Sequence, residues 1–384
     1  LEVEGLSDRD FLNRYTEGFD RFLPYLMGQS DGVAKTADWA AEISEIPSET
    51  IRQLARRMAA ERTMISVSWS LTRQDHGEQP FWAAIMLASM LGQIGLPGGG
   101  FGFGYSAMNY VGSQHTILPG ASFPQGQNAI KNLIPVARIS DLLLRGGEHF
   151  DFNGVRYQYP ETKLVYWAGG NPFHHHQDLN LLMKAWQKPD TIIAHEWCWN
   201  SLAKRADIVL PCTTTLERQD IAMTPRDPYV VSMSKLIEPN GQARDDYDIF
   251  AGIAEEMGVG DAFTEGRSKL DWQRWIYEQT QDRAQAAKID MPNYETFLKD
   301  GWFKLNDPVK PTVMLESFRE DPVANPLDTP SGRIEIFSKT VANFRYDDCP
   351  GHPVWQEPYE WLGRVDPRWP LHLISNQPKD KLHS

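Results

Sequence analysis

The sequence has 384 residues, 41% hydrophobic and 23% charged, with a formal net charge of -13. That length predicts two domains or more. The acidic balance, with no visible basic patch, argues against a nucleic-acid partner, although helix N-termini and a few arginines still allow a buried anionic ligand. Cys198, Cys212 and Cys349 form no CxxC pair, which excludes a disulfide scaffold and any iron–sulfur or structural zinc spacing in this chain.

In chain order, residues 48–61 (SETIRQLARRMAAE) carry apolar positions at helical spacing behind Ser48 as N-cap. A β-rich run, TMISVSWS, leads into the polar turn TRQDHGEQ and a helix from about 80 to 92, the βα unit of an α/β domain. The apolar stretch 81–96 is broken by Gly92, Gln93 and Gly95. It falls short of the roughly 20 residues that cross a bilayer, so it reads as a buried helix in a chain that does not span a membrane. The segment LPGGGFGFGYS is expected to break regular structure, and 106–134 to form a long, mostly irregular functional loop, since Tyr, Phe and Ile recur there.

A second set begins near Lys163. LVYWAGG reads as a strand, HHHQDLNLLMKAWQ as a helix, TIIAHEW as a strand, SLAKRA as a short helix and DIVLP as a third strand. This βαβαβ run makes a parallel sheet. Past Glu255 the pattern turns helical, then Pro-rich and loop-like over 307–332, before a strand at RIEIFS. The 13 tryptophans read as core and interface packing. There is no initiator Met or signal peptide, and the chain stops just after a strand-like LHLIS, so a piece of a longer protein is expected.

Candidate chemistry gathers where these strands end. Gly169, Gly170 and Asn171 follow the strand LVYWA, where glycines let backbone N–H groups approach a phosphate. About 25 residues later the next strand ends in His195 and Glu196, the place where dinucleotide-binding units put an acid for ribose hydroxyls. The third strand leads into Thr213, Thr214, Thr215 and Arg218. Each reads alone as an ordinary turn; in register on three strand ends they form a candidate nucleotide site. Trp69, Ser70 and Arg73 hold the equivalent strand end of the first unit, either as a polar turn or as a second site. Arg244, Asp245 and Asp246, in ARDDYDIF, are either a plain helix opening or place an acid that accepts from the amino and imino groups of a guanine. His174, His175 and His176 are expected to cap a helix or meet a phosphate, because adjacent helical residues point about 100° apart and seldom share a metal.

The segments WSLTRQDHGEQP, LGQIGLPGGGFGFGY, IPVARI, WAGGNPFHHHQD, ADIVLPCTTTLERQD, ARDDYDIF, GRIEIFS, DCPGHPVW and PKDKLHS, in this order, resemble the molybdopterin oxidoreductase family. The likeness is to its dimethyl sulfoxide, trimethylamine N-oxide and biotin sulfoxide reductase group, and WAGG, AWQKP and CPGHPVW sit nearest the biotin sulfoxide reductases. The resemblance implies an α/β chain of two dinucleotide-binding-like parallel-sheet domains with a cofactor between them, truncated at both ends. Residues 1–155 would form a first, partial domain, 156–366 a second, and 367–384 the start of a truncated C-terminal domain. It further implies a bis-molybdopterin guanine dinucleotide with molybdenum, contacted by Trp69, Ser70 and Arg73 and by Asn171, His195, Glu196, Arg218 and Asp246. Ser375, Asn376, His383 and Ser384 match a motif that closes over the pterins.

The implied reaction removes oxygen from a small S-oxide or N-oxide (dimethyl sulfoxide, trimethylamine N-oxide, biotin or methionine sulfoxide), with electrons from a donor protein or a reduced nucleotide. The compartment is cytoplasmic on a biotin-sulfoxide-reductase likeness and periplasmic on the other. The family's molybdenum-ligating serine lies upstream of Leu1, so no metal ligand is expected here and this piece alone is expected not to turn over. Formate dehydrogenases and nitrate reductases would share the cofactor contacts, but HGEQP and LERQD favour the S-/N-oxide group. A non-catalytic relic of the fold is a further alternative. A nicotinamide dehydrogenase would need GxGxxG directly after a strand, whereas GGGFGFG follows a helix.

Overall fold

The computed structural model describes residues 1–104, 116–224, 227–306 and 312–373. The chain divides into two compact units, Leu1–Gly112 with Lys310–Ser375, and Ser113–Val309 with Asn376–Ser384. Both units are discontinuous in sequence, and their limits differ from the contiguous spans 1–155 and 156–366.

In the first unit, the helix Arg9–Tyr15 starts where the Asp8 carboxylate accepts the Phe11 N–H at 2.8 Å. It packs Phe11, Leu12 and Tyr15 into a core with Phe19, Phe22, Met90, Phe318 and Ile336. The strand Thr16–Glu17 pairs in parallel with Ile334–Glu335, so the RIEIFS strand is two residues long and ties the two sequence segments of the unit together. The expected βα unit is present as the strand Met64–Val67 and the helix Glu78–Met90, whose buried residues lie mostly at its C-terminal end.

Two elements differ from expectation. Gly100–Phe103 is a strand, parallel to Met64–Val67, rather than a break in regular structure. Gly100 starts it at φ +92, and a Cβ there would stand 2.8 Å from the Ile94 Cα, so only glycine fits. Second, the helix Ser48–Ala60 has Pro47, not Ser48, at its N-cap, and the Ser48 hydroxyl instead accepts from Arg52 at 3.1 Å.

The second unit carries the three-stranded sheet in the order Leu164–Ala168, Thr191–Glu196, Ile208–Pro211, all parallel. Between the first two strands the expected single helix is two short ones, Pro172–His175 and Leu179–Ala185. The break falls at Asp178, which adopts a left-handed φ of 45 and caps the second helix through Leu181 N–H at 2.9 Å. SLAKRA narrows to the 3-10 turn Ala203–Arg205. Leu182, Ala185, Trp186 and Leu202 pack with Ile192 and Ala194 of the middle strand. Trp186 is 2% exposed, and its indole N–H donates to the Arg205 carbonyl at 3.1 Å.

Two antiparallel elements complete the unit. Tyr229–Met233 pairs with Asp220–Ala222 on one side and Trp302–Lys304 on the other. His149–Phe152 and Val155–Gln158 form a hairpin around Asn153 (φ 48) and Gly154 (φ 74). Beyond Glu255 the chain is helical, as expected, in Gly260–Thr264, Lys269–Ala286 and Tyr294–Asp300. Residues 116–134 are without helix or strand; 105–115 lie outside the described residues. Leu371–Leu373 form no strand, and the rest of LHLIS lies outside the described residues. Among the described residues, no helix is long and apolar enough to cross a membrane.

Candidate functional site

In-register parallel pairing brings three strand ends of the second unit side by side. Ala168 lies opposite His195, and Glu196 opposite Pro211. Next to Ala168, Gly169 and Gly170 take φ +85 and +75, and no heavy atom lies within 4 Å of where a Cβ would stand. The space beside that backbone is open. Asn171 is 2% exposed, and its amide has two tasks inside the fold. Its carbonyl oxygen accepts the Phe173 N–H at 3.0 Å, capping the helix Pro172–His175, and its NH2 donates to the Ser201 hydroxyl at 2.9 Å. His176, just past that helix, meets the Trp167 ring edge-on at 6.2 Å. Among the described residues no group of three His, Cys, Asp or Glu is arranged to hold a metal.

His195 is buried, with Nδ1 2.7 Å from Asp246 Oδ1 and Nε2 2.6 Å from the Tyr166 hydroxyl. Glu196, beside it, is 7% exposed. Asp246 opens the helix Asp246–Glu256, with Asp245 at the N-cap position. Asp245 makes no cap bond because its carboxylate is engaged elsewhere. It accepts the Thr213 hydroxyl at 2.7 Å and pairs with Lys269, which also reaches Asp248 at 2.9 Å. Burial pushes the Asp245 carboxyl up, but hydrogen bonds from Lys269 and Thr213 outweigh it and hold the group below the usual carboxylate range. Arg218 donates to the Thr213 carbonyl at 2.9 Å and lies 3.4 Å from Asp220. Burial and then the negative Asp246 and Glu196 push the Cys212 thiol up to about 11.

A cavity of 410 Å³ in this unit is lined by Arg218, Asp246, Asp245, Lys269, Tyr247 and Phe123, among others. It therefore joins a guanidinium, a half-exposed carboxylate and aromatic rings. Of the strand-end candidates, Arg218 and Asp246 line it, whereas Asn171 and His195 stand behind, hydrogen-bonded within the fold. Sequence reading placed Asp245 only among the acids opening a helix and missed its partner Lys269, which no periodicity links to it across 24 positions, and Tyr166. Tyr166 was legible in principle: in the register that places Ala168 opposite His195, it lies two residues earlier on the same face.

In the first unit, Trp69, Ser70 and Arg73 share the 3-10 turn Trp69–Arg73 at the end of the strand Met64–Val67. Ser68 caps this turn, accepting the Ser70 N–H at 3.3 Å. All three side chains are exposed, and Trp69 packs against Phe103 at 5.7 Å. Ser375, Asn376, His383 and Ser384 lie outside the described residues.

A parallel sheet flanked by helices, with glycines, acids and an arginine at adjoining strand ends, is of the α/β class that carries cofactor sites at its strand ends. The comparisons give that class its family. Residues 35–256 match the molybdopterin oxidoreductase family, and the chain belongs to it. It is 46% identical over 399 residues to the dimethyl sulfoxide/trimethylamine N-oxide reductase of Rhodobacter capsulatus, covering 100% of this chain and 48% of that protein. Against the biotin sulfoxide reductase of Cereibacter sphaeroides it is 48% identical over 382 residues, 99% of this chain and 51% of that protein. The trimethylamine-N-oxide reductase of Haemophilus influenzae is 44% identical, covering 100% and 48%. The chain thus spans about half the length of the curated relatives it matches. The acetylene hydratase from Pelobacter acetylenicus shares the fold, with a TM-score of 0.58 at 17% sequence identity over 94% of this chain and 49% of that chain. Membership of the family implies a molybdenum–pterin cofactor.

Proposed function

We propose that this chain is the cofactor-gripping part of a molybdenum-dependent S-oxide or N-oxide reductase, and that the cofactor is bis-molybdopterin guanine dinucleotide. The observation that carries the reading is the cavity of the second unit, which Arg218 and the half-exposed Asp246 both line. An arginine suits a phosphate or a polar base edge, and a carboxylate accepts from the adjacent N1–H and N2–H of a guanine. The open backbone at Gly169 and Gly170 is suited to close approach of a phosphate. The residues present therefore fit a guanine nucleotide arm.

In this reading Asp246 and Arg218 hold one dinucleotide directly, and Asn171, His195 and Glu196 shape the strand ends behind them. Trp69, Ser70 and Arg73 serve the other. The bound molybdenum supplies the two-electron chemistry that takes oxygen from the substrate. The substrate class, a small S- or N-oxide, is supported by the names of the relatives; the electron donor is a protein or a reduced nucleotide. Quantifying molybdenum and acid-released GMP on the intact purified protein tests the assignment. One molybdenum and two GMP per protein are expected, and a protein with molybdenum but no GMP would overturn the guanine reading.

A further inference from the structure

We infer that His195, clamped by Tyr166, is a positioning residue that fixes the Asp246 carboxylate in the orientation that selects guanine over other purines. The inference rests on the reading of Asp246 as the base acceptor and adds how that acceptor is aimed. Asp246 and Phe250 lie one turn apart on the helix Asp246–Glu256, so both present to one side. There they meet His195. Its ring lies tilted by 32° against Phe250, with centroids 4.9 Å apart, and Tyr166 packs on the same Phe250 at 5.5 Å.

The hydrogen-bond directions follow from what each group can do. A carboxylate only accepts, so the 2.7 Å contact requires a hydrogen on His195 Nδ1. In the neutral ring Nε2 then carries the lone pair, and the Tyr166 hydroxyl, 2.6 Å away, donates to it. Burial and the nearby Asp246 push the Tyr166 hydroxyl up, which keeps its hydrogen in place. Both ring nitrogens of His195 are thus engaged, and its side chain is 1% exposed, so it acts on a ligand only through Asp246. Asp246, 49% exposed, reaches the cavity as well. A carboxylate locked by a buried donor offers its acceptors in one direction, matching the two adjacent N–H groups of guanine. Hypoxanthine, which lacks the 2-amino group, forfeits one of the two bonds.

The test is calorimetric binding of GDP and IDP to the full chain and to four variants, Asp246→Asn, His195→Leu, His195→Asn and Tyr166→Phe. GDP is expected to bind about tenfold more tightly than IDP, the value of one charge-assisted hydrogen bond. His195→Leu brings the ratio close to one, and His195→Asn, which keeps an N–H donor near the Nδ1 position, restores most of it. A spectroscopic readout accompanies this: 15N spectra of labelled histidine show His195 as the Nδ1–H tautomer, and Tyr166→Phe, which removes only a hydroxyl, releases that tautomer and lowers the ratio. If Asp246→Asn lowers the ratio while His195→Leu and Tyr166→Phe leave it intact, the positioning role is wrong and the base reading survives. If Asp246→Asn leaves it intact, or the parent chain binds no GDP, both fall. A ring protonated on Nε2 overturns the clamp by itself. Should His195→Leu fail to fold, Tyr166→Phe and His195→Asn decide.

Discussion

Replacing Asp245 with asparagine separates the anchor of the site from its ligand-facing acid. Asp245 is 7% exposed and serves two partners, the Thr213 hydroxyl and the Lys269 ammonium. Asparagine keeps an oxygen for Thr213, so the loss is the ion pair. Fully buried pairs broken on one side cost about 3–5 kcal/mol and exposed ones about 0.2–1. Lys269 is 37% exposed and retains Asp248, so the cost should fall between, about 1–2 kcal/mol. For a unit of about 200 residues that lowers Tm by roughly 2–8 °C at pH 7.

The sign with pH follows from linkage. The folded carboxyl lies below its unfolded value, so its contribution is present above the unfolded pKa of about 3.9 and is lost as pH falls through the folded value. Thermal unfolding followed by circular dichroism at pH 7 and at successively lower pH should show the two proteins converging in acid. Equal Tm values at pH 7, or a penalty that stays constant down to about pH 3, would refute the reasoning.

Three further outcomes are expected. Trp186→Ala, which empties the space beneath the parallel sheet and frees the Arg205 carbonyl, should lower stability by about 3–5 kcal/mol in urea titration; a loss below about 1 would mean that the core collapses around the gap. Gly100→Ala should cost about 2 kcal/mol by the same measurement, because the new methyl meets the Ile94 backbone at a positive φ. Iodoacetamide followed by peptide mass spectrometry should label exposed Cys198 first; Cys212, whose thiol is pushed up to about 11, has a thiolate fraction on the order of a hundredfold below an ordinary thiol, and equal labelling would contradict its burial.

The parallel sheet was legible because its strands LVYWA, TIIAHE and DIVLP are short, mostly apolar runs bounded by turn signals, although only the middle one is largely buried. The strand Gly100–Phe103 was not, since glycine disfavours strands by propensity and is there for close approach to Ile94. The hairpin at Asn153-Gly154 had its turn signal in view, and HFDF and VRYQ alternate, but at four residues each they are too short to stand out. A continuous helix over HHHQDLNLLMKAWQ satisfies periodicity, and only the Asp178 backbone and its capping bond show the break. For the site, strand ends were readable and partners were not: His195 could be placed at a strand end, while its bonds to Tyr166 and Asp246 join positions 29 and 51 residues away.

The pair Asp245-Asp246 shows why that distinction matters for function. In sequence the two acids are interchangeable, each a fair N-cap and each a fair acceptor for a base. A helix turns about 100° per residue, so adjacent side chains at its start cannot share one environment. Here the turn sends Asp245 to Thr213 and Lys269 and Asp246 to His195. Asp245 is thereby paired with a cation and tied through Thr213 to the end of the third strand, while Asp246 is aimed by the buried His195 ring and tied to the second. The helix is held at both contacts, and of its two opening acids the one half-exposed at the cavity is Asp246. On the proposed guanine reading, an anionic protein in this way keeps one directed acceptor without adding a second uncompensated carboxylate from the same helix start.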